Sequence, residues 1–362
     1  AMTPIAVSPA ARRRPFLALR TNMPGHHPWR RWVAAALTAV ATGTLVPAWA
    51  EGPTGTAQTP VRSINEWLTR MHEASRMRAY TGTLVVTAGA SMSASKIWHV
   101  CDGTRQMERV DTLTGEPRTT LRRDNEVITF IPESRTAVVE KRESLGLFPD
   151  MLRTPENLIP GFYSVRELGH QRIAGHLADM VEILPKDDLR FGYRIWSERG
   201  TGLVVKLQTL GPQGAVLEQV AFTELQLDAP VSMDKLAASM KDTRGYEVVR
   251  PTLKKTTPEA QGWRLKEPVP GFSSMSCHVR ETEASAKGGS APMQWVFSDG
   301  LASVSLFVEP YDPRQHLQEK AATMGATQSV SRRVGEYWVT ALGEVPRATL
   351  KRFTRSLERA RP

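Results

Sequence analysis

Cysteine is nearly absent from this sequence: its 362 residues carry two, Cys101 and Cys277. So few exclude a disulfide-stapled scaffold and any four-thiolate zinc site. In an oxidising compartment the pair fits either a bridge tying the two halves of the chain or two unpaired thiols, and their spacing does not choose between them. Histidine is equally dispersed. Beyond His26 and His27, the six are His72, His99, His170, His176, His278 and His316, and none has a zinc-type spacing, so no metal site is expected. A Gly-x-Ser-x-Gly elbow, a Walker loop and a dinucleotide fingerprint after a strand are all missing. Glu182, Asp187, Asp188, Glu198 and Glu224 are the carboxylates from which a catalytic pair would be drawn, but acids at strand edges ordinarily face solvent. The sequence therefore reads as a binding protein with no cofactor, not as an enzyme.

Net charge is also scarcer than it looks. The formal value is +10, yet the first fifty residues contribute six arginines and no acid. The remainder holds 41 basic and 37 acidic side chains, too even a balance for nucleic acid as a partner. Long apolar runs are missing beyond residue 50. The one run before it, Trp32 to Val46, falls short of the roughly 20 residues that span a bilayer. With Arg30-Arg31 ahead of it and Ala48-Trp49-Ala50 behind, it reads as a secretory signal over residues 1–50, cleaved before Glu51. Met23 would give a leader of ordinary length, which makes residues 1–22 an over-extended start. The expected mature protein is soluble and exported.

What the chain does contain is alternation. After a helix opened by a Ser63/Glu66 capping box, with Ile64, Trp67, Leu68 and Met71 on one face, short strands follow from Tyr80 to about Leu227. The expected strands are 80–87, 95–101, 105–111, 118–122, 126–131, 135–140, 178–184, 190–197, 202–210 and 215–227, with turn residues between them, which implies an antiparallel meander. Residues 144–168 read as an irregular loop or short helix over a sheet face. Several strands are apolar on both faces, which suits either a dry core or a concave cavity for lipid or peptide. Met233 to Met240 reads as a short helix, and the Pro-, Lys- and Thr-rich stretch up to 261 as part of a linker.

A second domain begins near Gly262. Residues 291–308 are two alternating runs around Ser298-Asp299-Gly300, a strong hairpin signal. Asp312 with Pro313 predicts a helix ending near Gly325. A hairpin at Gly335-Glu336 follows, and then a helix from Pro346 with Leu350, Phe353 and Leu357 on its apolar face. Lys351, Arg352, Arg355 and Arg359 crowd its other side, either as a solvated face or as a dock for an acidic partner.

These residues together resemble the RseB/MucB family. The resemblance is carried by Trp-Val-Phe-Ser-Asp-Gly-Leu-Ala-Ser-Val-Ser-Leu-Phe-Val at 295–308 and by the hairpin and helix of 335–357. It continues in the helix of 63–77, in Tyr-Thr-Gly-Thr-Leu-Val-Val at 80–86 and in Gly-Tyr-Arg-Ile-Trp-Ser-Glu-Arg-Gly-Thr-Gly-Leu-Val-Val-Lys at 192–206. It implies an α+β protein, with a LolA/LolB-like half-open antiparallel β-barrel at 61–232, a linker at 233–261 and a smaller α+β domain at 262–358. It also implies a periplasmic negative regulator of the sigma-E envelope-stress response. Such a protein binds the periplasmic segment of a transmembrane anti-sigma factor (RseA or MucA), shields it from site-1 proteolysis, and is released by lipid or lipopolysaccharide. The resemblance tips residues 80–227 toward the cavity reading, with Leu84, Val86, Trp98, Phe130, Phe148, Phe162, Trp196, Leu207 and Phe222 as candidate liners for lipid A or lipoprotein acyl chains. Trp295, Phe297, Phe307, Tyr337 and Trp338 are the candidate partner contacts. A homodimer is left open. The competing reading is a soluble lipid or lipoprotein carrier of LolA type, which would not need the second domain.

Overall fold

In a computed structural model of the chain, the described residues are 62–141, 158–280 and 291–360. The expected leader, Phe148 and most of the 144–168 segment lie outside them. The first helix, α1 (Ile64–Met77), starts where its capping box places it: Ser63 Oγ accepts from Glu66 N, and Glu66 Oε2 accepts from Ser63 N at 2.6 Å. Its apolar stripe is buried, with Trp67 2% exposed and Leu68 and Met71 fully covered. Burial of this kind is worth roughly 1.5–3 kcal/mol per large side chain.

After α1 comes a meander, β1 (Tyr80–Ala88), β2 (Ser91–Cys101), β3 (Gln106–Thr112), β4 (Thr119–Arg123), β5 (Glu126–Ile131) and β6 (Thr136–Lys141). After a short helix, α2 (Ile159–Phe162), come β7 (Tyr163–Ile173), β8 (His176–Pro185), β9 (Gly192–Glu198), β10 (Val204–Leu210) and β11 (Val216–Leu227). β11 returns to pair with β1, so the two meanders fuse into one sheet, joined at its edge by β12 (Glu247–Val249) running parallel to β6. The order is β12-β6-β5-β4-β3-β2-β1-β11-β10-β9-β8-β7, and the two end strands do not pair with each other. The sheet is therefore an open half-barrel, as expected.

One reading of this part needs correcting. Residues 163–168, expected as part of an irregular loop or short helix, begin β7; only the strand's ends and two other positions are shielded, so its sequence lacks the alternation that reveals a half-buried strand. The helix expected at Met233–Met240 forms. Helix α3 (Met233–Lys241) buries Leu236 and Met240 against Met107, Leu121, Ile128 and Phe130 of the half-barrel.

The smaller sheet comprises β13 (Leu253–Lys255), β15 (Ser273–Arg280), β16 (Met293–Ser298), β17 (Ser303–Pro310), β18 (Lys320–Met324), β19 (Thr327–Val334) and β20 (Tyr337–Gly343). Its order is β13-β15-β16-β17-β20-β19-β18, and β14 (Trp263–Leu265) pairs separately with β21 (Leu357–Arg359). Helix α4 (Arg347–Ser356) covers one face, with Leu350 and Phe353 fully buried beside Val304, Leu306 and Val339.

The helix expected from Asp312 to Gly325 is overturned. Asp312 starts one turn, its carbonyl accepting from His316 N at 2.8 Å, but the chain then extends as β18, paired along its length with β19. Pairing with a neighbouring strand has overridden a good local start signal. The cysteines are unpaired: Cys101 ends β2 in the large sheet, while Cys277 is buried in the small-domain core, where burial pushes its thiol up to about 11.

Candidate functional site

Residues far apart in sequence converge at the joint between the half-barrel and the small sheet. The loop from β16 to β17 spans four residues, because Ser298 pairs directly with Ser303. Asp299 organises that loop: its Oδ1 accepts from Leu301 N at 2.9 Å and Ala302 N at 2.8 Å, while Gly300 takes φ 99°. The other carboxylate oxygen points out of the small domain. Oδ2 accepts from Tyr163 Oη at 2.8 Å and from Arg190 Nε at 2.7 Å, both groups belonging to the half-barrel.

Arg190 and Asp299 are fully buried. The guanidinium also donates to Asp187 and, at 2.6 Å, to the Pro270 carbonyl. Its Cζ lies over the Phe162 ring at 4.3 Å and the Phe272 ring at 4.9 Å, so one cation contacts rings from both domains. Burial, and then the Asp299 charge, lift the Tyr163 hydroxyl well above the usual tyrosine range, keeping it a neutral donor. Leu301 packs into the α1 core beside Tyr163 and Ile195, and Thr349 Oγ1 donates to the Leu189 carbonyl at 2.8 Å. A second contact closes the joint further along. Glu218 of β11 accepts from Ala326 N at 3.3 Å, and Glu344, beyond β20, has its carboxyl raised by burial and by the Glu218 charge.

The half-barrel also holds an open cavity of about 530 Å³ beside the start of α3. Trp98 forms part of its wall, with Ala229, Pro230, Val231 and Leu236 as further apolar lining. Arg109, Asp111 and Lys235 supply charge. Arg109 lies 5.5 Å from the Trp98 ring and is bridged to Asp111 at 2.9 Å, so its charge is partly offset, whereas no described acid pairs with Lys235. An apolar wall with cationic groups at hand suits an amphiphile with an anionic head.

The register sorts the expected liners by face. Leu84 pairs with Phe222, while Val86 and Leu207 each pair with Val220, so these four share one face of β1, β11 and β10. Leu84, Phe222 and Leu207 are buried in the packed core. Alternation sends Trp98, Phe130 and Trp196 to the opposite face. There Phe130 packs edge-on to Tyr246 at 5.1 Å under α3, and Trp196 is buried with Nε1 donating to Gln171 at 2.9 Å. Of the described candidates Trp98 alone lines the cavity, and Phe162 is half-buried in the joint.

Among the partner candidates, Trp295 and Phe297 lie inside the small-domain core. Tyr337 packs at its margin against Trp263 at 5.1 Å. Phe307 and Trp338 occupy the other face, opposite Thr340 and Glu309. Phe307 is half-exposed there, and Trp338 is covered by His316, stacked at 4.9 Å.

Four of the five candidate carboxylates have structural partners. Glu182 binds Arg166 and Arg194, Glu198 caps Gly200 and Thr201, Glu224 meets Lys96, and Asp187 meets Arg190. Asp188 is exposed. Sequence reasoning found Asp299 only as a turn residue and missed Tyr163 and Arg190; a charged side chain just ahead of a strand gives no sign that its partner lies 109 residues away.

Fold and joint thus define a two-domain protein in which an open half-barrel with a solvent-reaching cavity is bolted to a smaller helix-covered sheet. Known proteins make the class specific. The model of the MucB/RseB N-terminal domain matches residues 63–240 and that of the MucB/RseB C-terminal domain matches 257–358. The chain belongs to the MucB/RseB family. It is 28% identical over 305 residues to the sigma factor AlgU regulatory protein MucB of Pseudomonas aeruginosa, covering 83% of this chain and 92% of that protein. It is 26% identical over 299 residues to the sigma-E factor regulatory protein RseB of Haemophilus influenzae, covering 82% and 91%. A crystal structure of MucB in complex with MucA(peri) matches with a TM-score of 0.62 at 27% identity, covering 82% of this chain and 99% of that one. The P. aeruginosa MucA/MucB complex gives 0.63 at 25% identity, with the same coverage.

Proposed function

We propose that this chain is an exported, periplasmic regulator that binds the periplasmic segment of a transmembrane anti-sigma factor of the MucA/RseA kind. By covering that segment it protects the anti-sigma factor from site-1 proteolysis and keeps a sigma-E-type stress response off. The observation that carries this reading is the match, through both domains and 99% of its length, to a MucB solved with its MucA segment bound. A lipid-carrier reading accounts for the half-barrel alone and leaves the buried joint to a second domain unexplained.

Release by lipid or lipopolysaccharide is the finer part of the proposal. The cavity beside α3 supports it: Trp98 and the 229–236 segment offer apolar surface, with Lys235 and Arg109 near it for phosphate or carboxylate. Each buried methylene would contribute about 0.8 kcal/mol. Release requires that the ligand prefer the conformation that the partner disfavours. Calorimetric titration of the mature chain with a MucA-type periplasmic segment, with and without lipopolysaccharide, tests both parts. Absence of binding removes the whole reading, and binding that lipopolysaccharide leaves unchanged removes the release step.

A further inference from the structure

Among the described residues, the small sheet ends in an unguarded edge. There β18 pairs only with β19, in continuous register, and all five of its residues are exposed. Natural edge strands are ordinarily blunted by proline, bulges or inward charges, because their free N–H and C=O groups template another strand. Here the only such device is Lys320 at the strand's start. Leu317 and Met324, 81% and 72% exposed, lie just before it and at its end.

The wall beside this edge is basic. Ala321 and Thr323 lie opposite Val330 and Gln328, and Val330 belongs to the core beneath α4, so these two residues face the helix side. Arg347, in the first turn of α4, donates through Nη2 to Thr323 Oγ1 at 2.8 Å. That bond fixes which side of the helix overlooks the free edge. Lys351 and Arg355 follow at i+4 and i+8, which puts them on the same stripe. Both are exposed, and neither has a described ion-pair partner. The nearest acid in sequence to the edge, Glu319, is occupied by the Arg333 amide at 3.0 Å.

We propose that the free edge of β18 and the Arg347–Lys351–Arg355 stripe form a docking groove for an extended, acidic segment of a partner protein. The segment adds as an eighth strand of the small sheet, and its carboxylates on the helix side meet the stripe. Strand addition supplies affinity through main-chain hydrogen bonds, and the side-chain pattern supplies selectivity. The groove is separate from the cavity beside α3. It rests on the proposed function only in taking a protein segment as its occupant.

The test is fluorescence anisotropy of the mature chain with a labelled peptide of about ten residues, long enough for one strand, alternating Glu with Thr or Val. A Lys-for-Glu peptide is the control. The Glu peptide is expected to bind, the Lys peptide not. Charge reversal in Lys351→Glu/Arg355→Glu is expected to weaken binding about tenfold and to flatten its salt dependence. Ala321→Pro and Ala322→Pro, one of which removes an outward N–H, check the edge. Hydrogen exchange should show the β18 amides gaining protection on binding, and circular dichroism verifies that each variant folds. Equal binding of both peptides, or binding indifferent to the charge reversal and to both prolines, overturns the proposal. So does binding of phosphatidylglycerol vesicles, but not of the peptide, with the same Lys351 and Arg355 dependence, which makes the stripe a membrane contact. If the charge-reversed chain fails to bind the Glu peptide but keeps a MucA-type segment at full affinity, the groove is not the anti-sigma site and the proposed function stands.

Discussion

At the scale of single residues, the joint concentrates its cost and its strength in one ion pair. Arg190 and Asp299 are both removed from water, and each satisfies the other's charge. Removing one partner leaves a buried charge with incomplete compensation, which typically costs about 3–5 kcal/mol. Asp299→Asn should therefore lower the urea midpoint steeply, and Arg190→Met should be less harmful in the Asp299→Asn background than alone. Glu344 behaves in the opposite sense. Its folded-state proton affinity is raised by burial and by Glu218, so the folded protein holds that proton more tightly than the unfolded chain. Below its ordinary value of 4.5 the group is neutral in both states and costs nothing. As pH rises through the raised value, the folded state must ionise a shielded carboxyl, and stability falls. Glu344→Gln is thus expected to raise the melting temperature at pH 7.5 and leave it unchanged at pH 4. Equal gains at both pH values would show that the charge is not the cause.

At the scale of elements, local signals predicted α1, α4 and most strands, because each carries its own cap or alternation. Ser63/Glu66 and the stripe of Trp67, Leu68 and Met71 suffice for α1 without knowledge of the sheet above which it lies. β7 was hidden because an edge strand need not alternate, and the Asp312 turn misled because only the partner strand β19 decides against a helix. The candidate site was less legible still. Face assignments across β1, β2 and β11 depend on register, and the extra residue in β11 between Phe222 and Glu224 is invisible in composition. Gly271, between the linker and β15, offers an element-scale test. Its φ is +80°, and an added Cβ would strike the Arg190 guanidinium and, at 2.9 Å, the Phe162 ring. Gly271→Ala should destabilise the protein by more than the roughly 1 kcal/mol of a positive-φ penalty alone. Loss of near-ultraviolet signal from the joint aromatics would accompany it.

At the scale of the whole molecule, the two sheets do not behave as beads on a tether. Leu301 of the small domain completes the core under α1, while α3, β12 and β13 carry the chain from one sheet to the other with little free backbone. Removing residues 262–358 would strip Asp299 from Tyr163 and Arg190, so truncation would confuse loss of partner binding with loss of folding. Point changes on exposed residues are the cleaner separation. A single calorimetric transition is expected for the two-domain protein, splitting into two in Asp299→Asn. Two well-separated transitions in the unaltered protein would show that the joint does not couple the domains.

The order of the chain gives the joint a further consequence. Arg190 precedes Asp299 by 109 residues. Without the last third of the chain, the half-barrel carries an arginine that lacks its fully buried counter-charge and a core missing Leu301. Domains tend to fold as units in order of appearance. The half-barrel is thus complete only when the loop around Asp299 is present, and limited proteolysis is expected to digest a chain ending before Asp299 faster than the full-length chain.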